Sequence, residues 1–360
     1  MIVILAPYFA PAYKAGGPIK SLRGFSKLLL ENNRELKVVT RNNDIDGSIL
    51  GESGKYDFVD YRSKASIGKY RKDFKNAELI WFNSLYSVPF TMIPVLALFF
   101  SKKKTVLISP RGSMLPGTTS FKKKVYLRIL KTIFKILPHR FVMHYSNEYE
   151  KQNSIPMFAG FDEVFFNNPL TGELQDLPIT GNSKKVLACF GRMSAKKNLG
   201  FIIDVLGQLP EDFTLELHGA LEHMKYVDQL KEQIASLGLE DRVSFEGEYS
   251  SDNFGEKVNE ITVGLIPSLS ENFCHVFFEF IEGGRIVVAS DGLPWGFANK
   301  EVPETILPLE EELWKQRILE ISKMSDDDYH TQQKKLCGIY NKVKDEIEED
   351  FLNVVNTITD

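Results

Sequence analysis

Short apolar runs rich in β-branched residues alternate with longer segments of helical periodicity along most of the chain. The helical segments include Ile19–Asn32, Lys122–Leu137, Leu199–Leu209 and Lys225–Leu237. Strand and helix in alternation predict parallel sheets with helices on both faces, which is the doubly wound α/β class. The predicted strands are Ile2–Ala6, Lys37–Thr40, Leu79–Phe82, Thr105–Ser109, Arg140–His144, Val186–Phe190, Thr214–His218, Val243–Glu246, Val263–Pro267 and Ile286–Ser290.

The chain is long enough for two domains. It has 360 residues, of which 43% are hydrophobic, and single cores stop growing near roughly 250 to 300 residues. A polar stretch containing proline and glycine, residues 167–185, interrupts the alternation and is typical of a linker. We therefore predict Rossmann-like domains over residues 1–170 and 171–339 that face each other across a cleft, with a C-terminal helix at about 340–360 packing back on the first. Ligands bind such sheets at the carboxyl ends of the strands, so the cleft is the expected site.

Composition excludes several classes of protein. The formal charge of −4 argues against a wholesale nucleic-acid binder. The longest apolar run, Val88–Phe100, contains two prolines and is too short for a membrane span. An odd number of cysteines without C-x-x-C spacing predicts neither a disulfide framework nor a zinc site, and favours a reducing cytoplasm. These cysteines are Cys189, Cys274 and Cys337.

Two glutamates stand in the apolar stretch of residues 264–284, where unpaired charges are costly. Glu271 follows the strand Val263–Pro267, and Glu279 lies on the helix predicted after it. The two carboxylates could contact opposite ends of an extended ligand, and amides near the helix N-terminus suit a phosphate between them. A sugar nucleotide has this layout, although a solvated loop glutamate and a helix-surface glutamate explain the spacing equally well. The amides concerned are those of Asn272, Phe273, Cys274 and His275.

A basic loop and a glycine pair follow two other strands. In "FGRMSAKKNLGF", residues 190–201, Arg192 and Lys197 stand between a strand and a helix. Cations near a helix N-terminus oppose the helix dipole unless a polyanion such as a diphosphate offsets them, although a solvated basic loop is the commoner meaning of such a run. Gly16 and Gly17 in "AYKAGGPIKSL" leave room for a ligand near the backbone, and a plain turn is the alternative.

Together these segments resemble glycosyltransferase family 4. "GRMSAKKNL" is similar to the family's G-R-x4-K motif, and "PSLSENFCHVFFEF" to its E-x7-E motif. Residues 217–250 fit the intervening segment, while "SPRGSMLPG" and "HYSNEYE" are similar to signatures of the N-terminal domain. The resemblance implies a GT-B fold, an N-terminal acceptor domain, a nucleotide-sugar donor held mainly by the second domain, and transfer with retention at the anomeric carbon.

The resemblance also implies roles for individual residues. Arg192 and Lys197 would hold the diphosphate, Glu271 the hexose hydroxyls and Glu279 the ribose. The glycine pair would face the donor phosphates across the cleft. Three positions depart from the family pattern: Cys274 replaces a glycine, Ile286 a proline, and Arg111 lies near a common histidine. An arginine stays protonated and could only stabilise charge there.

We expect a retaining hexosyltransferase of bacterial surface polysaccharide or glycolipid assembly, such as capsule or O-antigen synthesis. The donor would be a nucleotide diphosphate sugar, the acceptor a glycan or polyprenyl-linked sugar, and no metal or other cofactor would be required. Two alternatives stay open. One is a non-catalytic sugar-nucleotide-binding protein, and the other a metal-dependent GT-A transferase with Asp44 and Asp46 as ligands.

Charge is distributed unevenly along the chain. No Asp or Glu occurs between Ser101 and Asn147, while lysines and arginines recur through this segment, including Lys102–Lys104 and Lys122–Lys124. Each Lys or Arg near an anionic leaflet contributes about 1 kcal/mol to binding. We therefore expect a cytoplasmic protein whose N-terminal domain rests on the inner membrane face, although a core helix with a basic outer side would give the same pattern.

Overall fold

The computed structural model describes residues 1–14, 16–114, 120–172, 174, 185–221, 224–249 and 254–359, except for the side chain of Tyr149. Most of the predicted linker and residues 115–117 of the N-terminal signature lie outside this part. The chain divides into two compact units. Unit 1 comprises Met1–Thr171 and Lys344–Asp360, and unit 2 comprises Gly172–Val343.

Unit 1 is built on a parallel sheet of seven strands in the order β3-β2-β1-β4-β5-β6-β7, counted within the described residues. Strand order reverses between β1 and β4, which are neighbours in the sheet. The strands are β1 (Ile2–Leu5), β2 (Leu36–Arg41), β3 (Val59–Arg62), β4 (Leu79–Phe82), β5 (Thr105–Ile108), β6 (Arg140–Tyr145) and β7 (Asp162–Phe165).

Helices cover both faces of this sheet and divide its core in two. One layer packs around Phe134, and the other around Phe25 and Trp81. The last turns of the long C-terminal helix, α11 (Asp326–Thr359), belong to the second layer, where the Phe351 ring lies 4.7 Å from that of Phe25. The helices are α1 (Gly17–Glu31), α2 (Ile67–Phe74), α3 (Ile93–Leu98, preceded by a π-helical turn Val88–Met92), α4 (Phe121–Ile136) and α5 (Glu148–Asn153).

Unit 2 has a parallel sheet of six strands in the order β10-β9-β8-β11-β12-β13, counted over the same part of the chain. Here strand order reverses between β8 and β11. The strands are β8 (Lys185–Phe190), β9 (Phe213–His218), β10 (Val243–Gly247), β11 (Val263–Ile266), β12 (Ile286–Ser290) and β13 (Ile306–Leu307). The helices are α6 (Leu199–Gly207), α7 (Met224–Ser236), α8 (Phe254–Val258), α9 (His275–Glu282), α10 (Glu311–Ser322) and the part of α11 that precedes Lys344.

The two doubly wound sheets confirm the predicted fold class. Every strand predicted from the sequence is present, with ends shifted by at most one residue, and three edge strands were not predicted. The GT-A alternative is wrong, because a GT-A protein has a single domain and this chain forms two separate parallel sheets. Among the described helices, none is long and apolar enough to cross a membrane.

Candidate active site

The predicted donor motifs of unit 2 meet at the point where strand order reverses. One motif follows β8 and the other follows β11, and these strands are parallel neighbours. Their carboxyl ends therefore lie side by side. In open α/β sheets this switch point is where ligands bind, because the connections leaving the two strands diverge there.

The basic loop after β8 turns sharply and brings Lys197 back toward the strand end. Gly191 has φ 138°, and a Cβ atom there would lie 3.0 Å from Cε of Lys197. A 3-10 turn over Ala195–Lys197 follows, and Asn198 with φ 53° ends it and begins α6. A side chain at residue 191 would thus compete with Lys197 for space.

Lys197 forms an ion pair with Glu271, with Nζ 2.7 Å from Oε1. A backbone hydrogen bond from Leu269 N to Lys196 O, 2.9 Å long, ties the same two loops together. Burial disfavours both charges, but it is outweighed in each case: Cys274 and then Glu271 raise the pKa of Lys197, and Lys197 lowers the pKa of Glu271. Both groups are therefore charged at neutral pH.

The loop that carries Glu271 packs against the turn that follows β12. Glu271 N donates to Gly292 O at 2.8 Å. A Cβ atom at Gly292 would lie 2.6 Å from Ser268 O, so the two backbones approach as closely as only glycine allows. This contact fixes the backbone from which the Glu271 side chain extends.

Helix α9 begins with a left-handed residue. Cys274 has φ 65° and ψ 73° at the N-cap, and its carbonyl accepts from Phe277 N. Burial raises the pKa of its thiol to about 12, with the Glu271 carboxylate adding to the shift. The thiol is therefore protonated at neutral pH, which fits a packing role better than that of a nucleophile.

Replacing Cys274 by glycine should stabilise unit 2, because glycine adopts a left-handed conformation without the steric cost that a Cβ atom brings. The expected gain is about 1 kcal/mol in the free energy of unfolding, measured by denaturant unfolding. Cys189, which is also buried, provides a matched control as Cys189→Gly, because it lies within β8 and should lose stability. A loss of stability in both variants would contradict the strain argument.

Glu279 lies on the buried face of α9 with only 6% of its surface exposed. The charge of Glu271 and that of Glu279 both raise the pKa of the Cys274 thiol, so both carboxylates lie near it. The pKa of Tyr249 is raised well above its usual value by burial and then by Glu279 and Cys274. The sequence analysis did not single out Tyr249, because its position near Glu279 depends on tertiary packing.

A histidine and a glycine at the end of β9 support the basic loop. His218 stacks on Phe190 with ring centroids 4.1 Å apart, and its Nε2 lies 2.8 Å from Glu216 Oε2. Gly219, with φ 152°, approaches Gly191 so closely that a Cβ atom would lie 1.9 Å from Gly191 O. The sequence analysis assigned neither residue to the site, since a lone histidine such as His218 is more often a structural group than a catalyst.

The remaining predicted site residues are placed as follows. Arg192 is exposed. Its charge offsets part of the rise in the pKa of Lys197, so the two cations are neighbours. Phe273 is buried, and its carbonyl accepts from Trp295 Nε1 at 2.6 Å. Asn272 and His275 flank it on the same loop and helix end.

The predicted glycine pair belongs to unit 1, where it begins α1. Gly16 is the N-cap with φ 68°, a conformation that favours glycine, and Gly17 is the first helical residue. Asp44, proposed as a metal ligand in the GT-A alternative, instead accepts hydrogen bonds from Tyr13 N and Lys14 N. Asp46 forms an ion pair with Lys14. Both carboxylates thus shape the loop that leads to the glycine pair.

Comparisons with known proteins agree with this arrangement. Residues 176–296, which include both of the predicted donor motifs, match the family model described as "Glycosyl transferases group 1". The lipopolysaccharide core biosynthesis mannosyltransferase LpcC of Rhizobium leguminosarum bv. viciae is 29% identical over 138 residues. That match covers 37% of this chain and 38% of the relative, so the chain spans well under half the length of that curated protein.

Solved structures extend the likeness to the whole fold. Anabaena Alr3699/HepE, in complex with UDP and glucose, has a TM-score of 0.72 at 18% identity, with 99% of both chains covered. The lipopolysaccharide outer core galactosyltransferase WaaB, in its apo form, has a TM-score of 0.63 at 14% identity, with 99% of both chains covered. The fold shared with these proteins is GT-B.

Proposed function

From a GT-B fold whose residues 176–296 match the group 1 glycosyl transferases, we propose that the protein is a retaining glycosyltransferase. It would move a hexose from a nucleotide diphosphate sugar to a glycan or lipid-linked acceptor in bacterial surface polysaccharide synthesis. The relative LpcC and the structural neighbour WaaB are named for lipopolysaccharide core assembly, which supports this class of acceptor.

The observation that carries the proposal is the ion pair between Lys197 and Glu271 at the switch point of unit 2. Lys197, with Arg192 beside it, would stabilise the negative charge that develops on the departing diphosphate, the step at which preorganised cations help most. Glu271 would accept hydrogen bonds from hexose hydroxyls, and Glu279 from the ribose. The leaving phosphate would deprotonate the acceptor hydroxyl, so that no enzyme nucleophile is needed.

A panel of UDP-, GDP- and TDP-sugars tests the donor. A ligand that binds only the native state raises the melting temperature, by an amount that grows with its concentration relative to Kd. We expect one nucleotide series to stabilise the protein and its sugar to be transferred to an acceptor or to water. Stabilisation without any turnover would favour the non-catalytic alternative, and no stabilisation by any of them would contradict the proposal.

Activity should survive chelation of divalent metals. Lys197 and Arg192 would supply positive charge to the diphosphate, the role that a metal ion would otherwise fill. We expect the transfer rate in EDTA to stay within about twofold of the rate without it. A complete loss of activity, restored by manganese, would show that the diphosphate needs a metal.

The N-terminal unit would attach reversibly to an anionic membrane. Helix α4 buries Leu127, Leu130 and Phe134, yet a second apolar stripe on it faces solvent. That stripe includes Phe121, which is 77% exposed, and Ile136, which is 67% exposed. A solvated helix face does not need these side chains, whereas apolar residues between lysines suit insertion at a lipid headgroup layer. The exposed apolar residues are Phe121, Val125, Ile129 and Ile136.

Reversing two lysines of α4 should weaken binding to anionic liposomes. Lys122 and Lys124 are exposed beside the apolar stripe, and at about 1 kcal/mol per residue their change to glutamate should reduce partitioning by about tenfold or more. Sedimentation at low salt measures this. Reversal of Lys225 and Lys231 on α7 of unit 2 is the matched control. Equal binding of the two double variants, or no binding by the native protein, would favour a soluble acceptor.

A further inference from the structure

Arg111 of unit 1 holds two asparagines by their side-chain oxygens. It follows β5 in a turn with φ 54°. Its Nε donates to Oδ1 of Asn83 at 2.7 Å, and its Nη1 donates to Oδ1 of Asn168 at 2.6 Å. Asn83 directly follows β4, and its backbone N donates to Leu5 O of the neighbouring β1. The three side chains therefore meet at the carboxyl edge of the sheet, beside its switch point.

The guanidinium has no counter-ion at ion-pair distance in the described part of the chain. Glu150 is the carboxylate whose charge reaches it, but the oxygens of Glu150 accept from the backbone N–H groups of Gly112 and Ser146. Burial lowers the pKa of Arg111 to about 10 despite Glu150, and the residue stays charged at neutral pH. His144 nearby has a pKa well below its usual value, because of burial and then Arg111, and is neutral.

Aromatic rings compensate this charge only in part. The guanidinium carbon lies 5.2 Å from the centroid of Phe25 and 5.9 Å from that of Trp81. Such contacts offset only part of the cost of removing a charge from water. Nη2 of Arg111 is buried and has no hydrogen-bond partner within the described residues. The fold therefore keeps a costly cation with spare bonding capacity.

The hydrogen bonds also fix which way the asparagines point. A guanidinium only donates, so each asparagine must turn its oxygen toward Arg111 and its Nδ2–H₂ group away from it. The cluster of Arg111, Asn83 and Asn168 thus turns the N–H donors of both asparagines and a positive charge toward a ligand. Sites that combine N–H donors with a net positive charge recognise oxyanions.

We propose that Arg111, Asn83 and Asn168 form an oxyanion site in unit 1 that binds a phosphate of the acceptor. This deepens the proposed function and rests on it, because it assigns the acceptor to the class of phosphorylated, lipid-linked sugars. Asn83 and Asn168 donate to the phosphate oxygens, and Arg111 supplies the charge and fixes both amides. A donor diphosphate is the other source of the same chemistry.

Isothermal titration with inorganic pyrophosphate tests the site. The background variant Arg192→Gln weakens the donor-side site, so that the remaining binding reports on unit 1. Adding Arg111→Gln is expected to weaken pyrophosphate binding by about tenfold or more, since bonds to a charged group are lost. Adding Arg23→Gln, the same charge change at an exposed position on α1, should alter Kd by less than about twofold. Equal Kd values for the two double variants, or no binding to the background variant, would overturn the proposal.

Asn168→Ala serves as a second variant should Arg111→Gln fail to fold, because Asn168 is only partly buried and its loss leaves the charge of Arg111 in place. It should weaken pyrophosphate binding severalfold. Geranyl pyrophosphate and UDP distinguish the two sources in otherwise native protein. A loss of affinity for the prenyl compound, with UDP unaffected, supports an acceptor phosphate. A loss confined to UDP overturns the acceptor assignment. Absence of any nucleotide-sugar turnover would defeat the proposed function and leave the pyrophosphate comparison intact.

Discussion

Glu271→Gln is expected to lower the rate of sugar transfer about 10²- to 10³-fold, as loss of a preorganised charge in a site typically does. Glutamine keeps the shape of the side chain but removes the negative charge that accepts from the sugar and pairs with Lys197. The affinity for the free nucleoside diphosphate should change little, because the lost contact is to the sugar. Glu271→Ala should abolish transfer, since it removes the side chain as well as the charge. It also leaves Lys197 partly buried beside a cavity.

Transfer kinetics with a good donor, together with titration of the nucleoside diphosphate, measure both effects. Glu256→Gln on α8 is the matched control, since Glu256 is exposed and its loss should leave turnover unchanged. Arg192→Ala should, by contrast, weaken nucleotide binding and transfer together. Near-normal turnover in Glu271→Gln would mean that the candidate site has been assigned to the wrong residue.

Gly219→Ala should disrupt the basic loop and destabilise unit 2 by about 3 kcal/mol or more. The added Cβ would lie 1.9 Å from Gly191 O and 2.6 Å from Gly191 C, and a backbone atom cannot rotate away as a side chain can. The strand end or the loop must therefore shift, which carries Arg192 and Lys197 out of position. Nucleotide binding should be lost along with stability.

Gly238→Ala separates the clash from the cost of backbone conformation. Gly238 has φ 65°, and nothing lies within 4 Å of a Cβ atom there, so alanine should cost only about 1 kcal/mol. Chemical unfolding and nucleotide titration of both variants make the comparison. If the two alanine variants were equally stable and bound nucleotide equally well, the close approach of Gly219 to Gly191 would not matter for the site.

Sequence patterns predicted the interior of both sheets but not all of their edges. The strands without a prediction are β3, β7 and β13, and each is the outermost strand of its sheet. Their sequences, "VDYR", "DEVF" and "IL", are either charged or very short. Edge strands are commonly short and charged, which limits pairing with other chains, so they lack the continuous apolar run that identifies a buried parallel strand.

The candidate site was predictable in its parts but not in its contacts. The motifs located Lys197 and Glu271 on loops after two strands, and the resemblance gave them separate ligand groups. Their ion pair with each other depends on β8 and β11 being neighbours in the sheet, and the spacing of the motifs does not predict that strand order. Arg111 was noticed only as a departure from a family pattern, because its two asparagine partners lie 28 and 57 residues away.

Helix α11 bears on the order in which the protein folds during synthesis. The polypeptide leaves unit 1 after Thr171 and returns to it at Lys344, so all of unit 2 is translated in between. Until then the aromatic cluster of unit 1 lacks Phe351, which contacts the rings of Phe25, Trp81 and Phe166. Part of the core of unit 1 therefore stays open to solvent until the last residues of the chain have been synthesised. Unit 2, although its translation begins later, can complete its own core first.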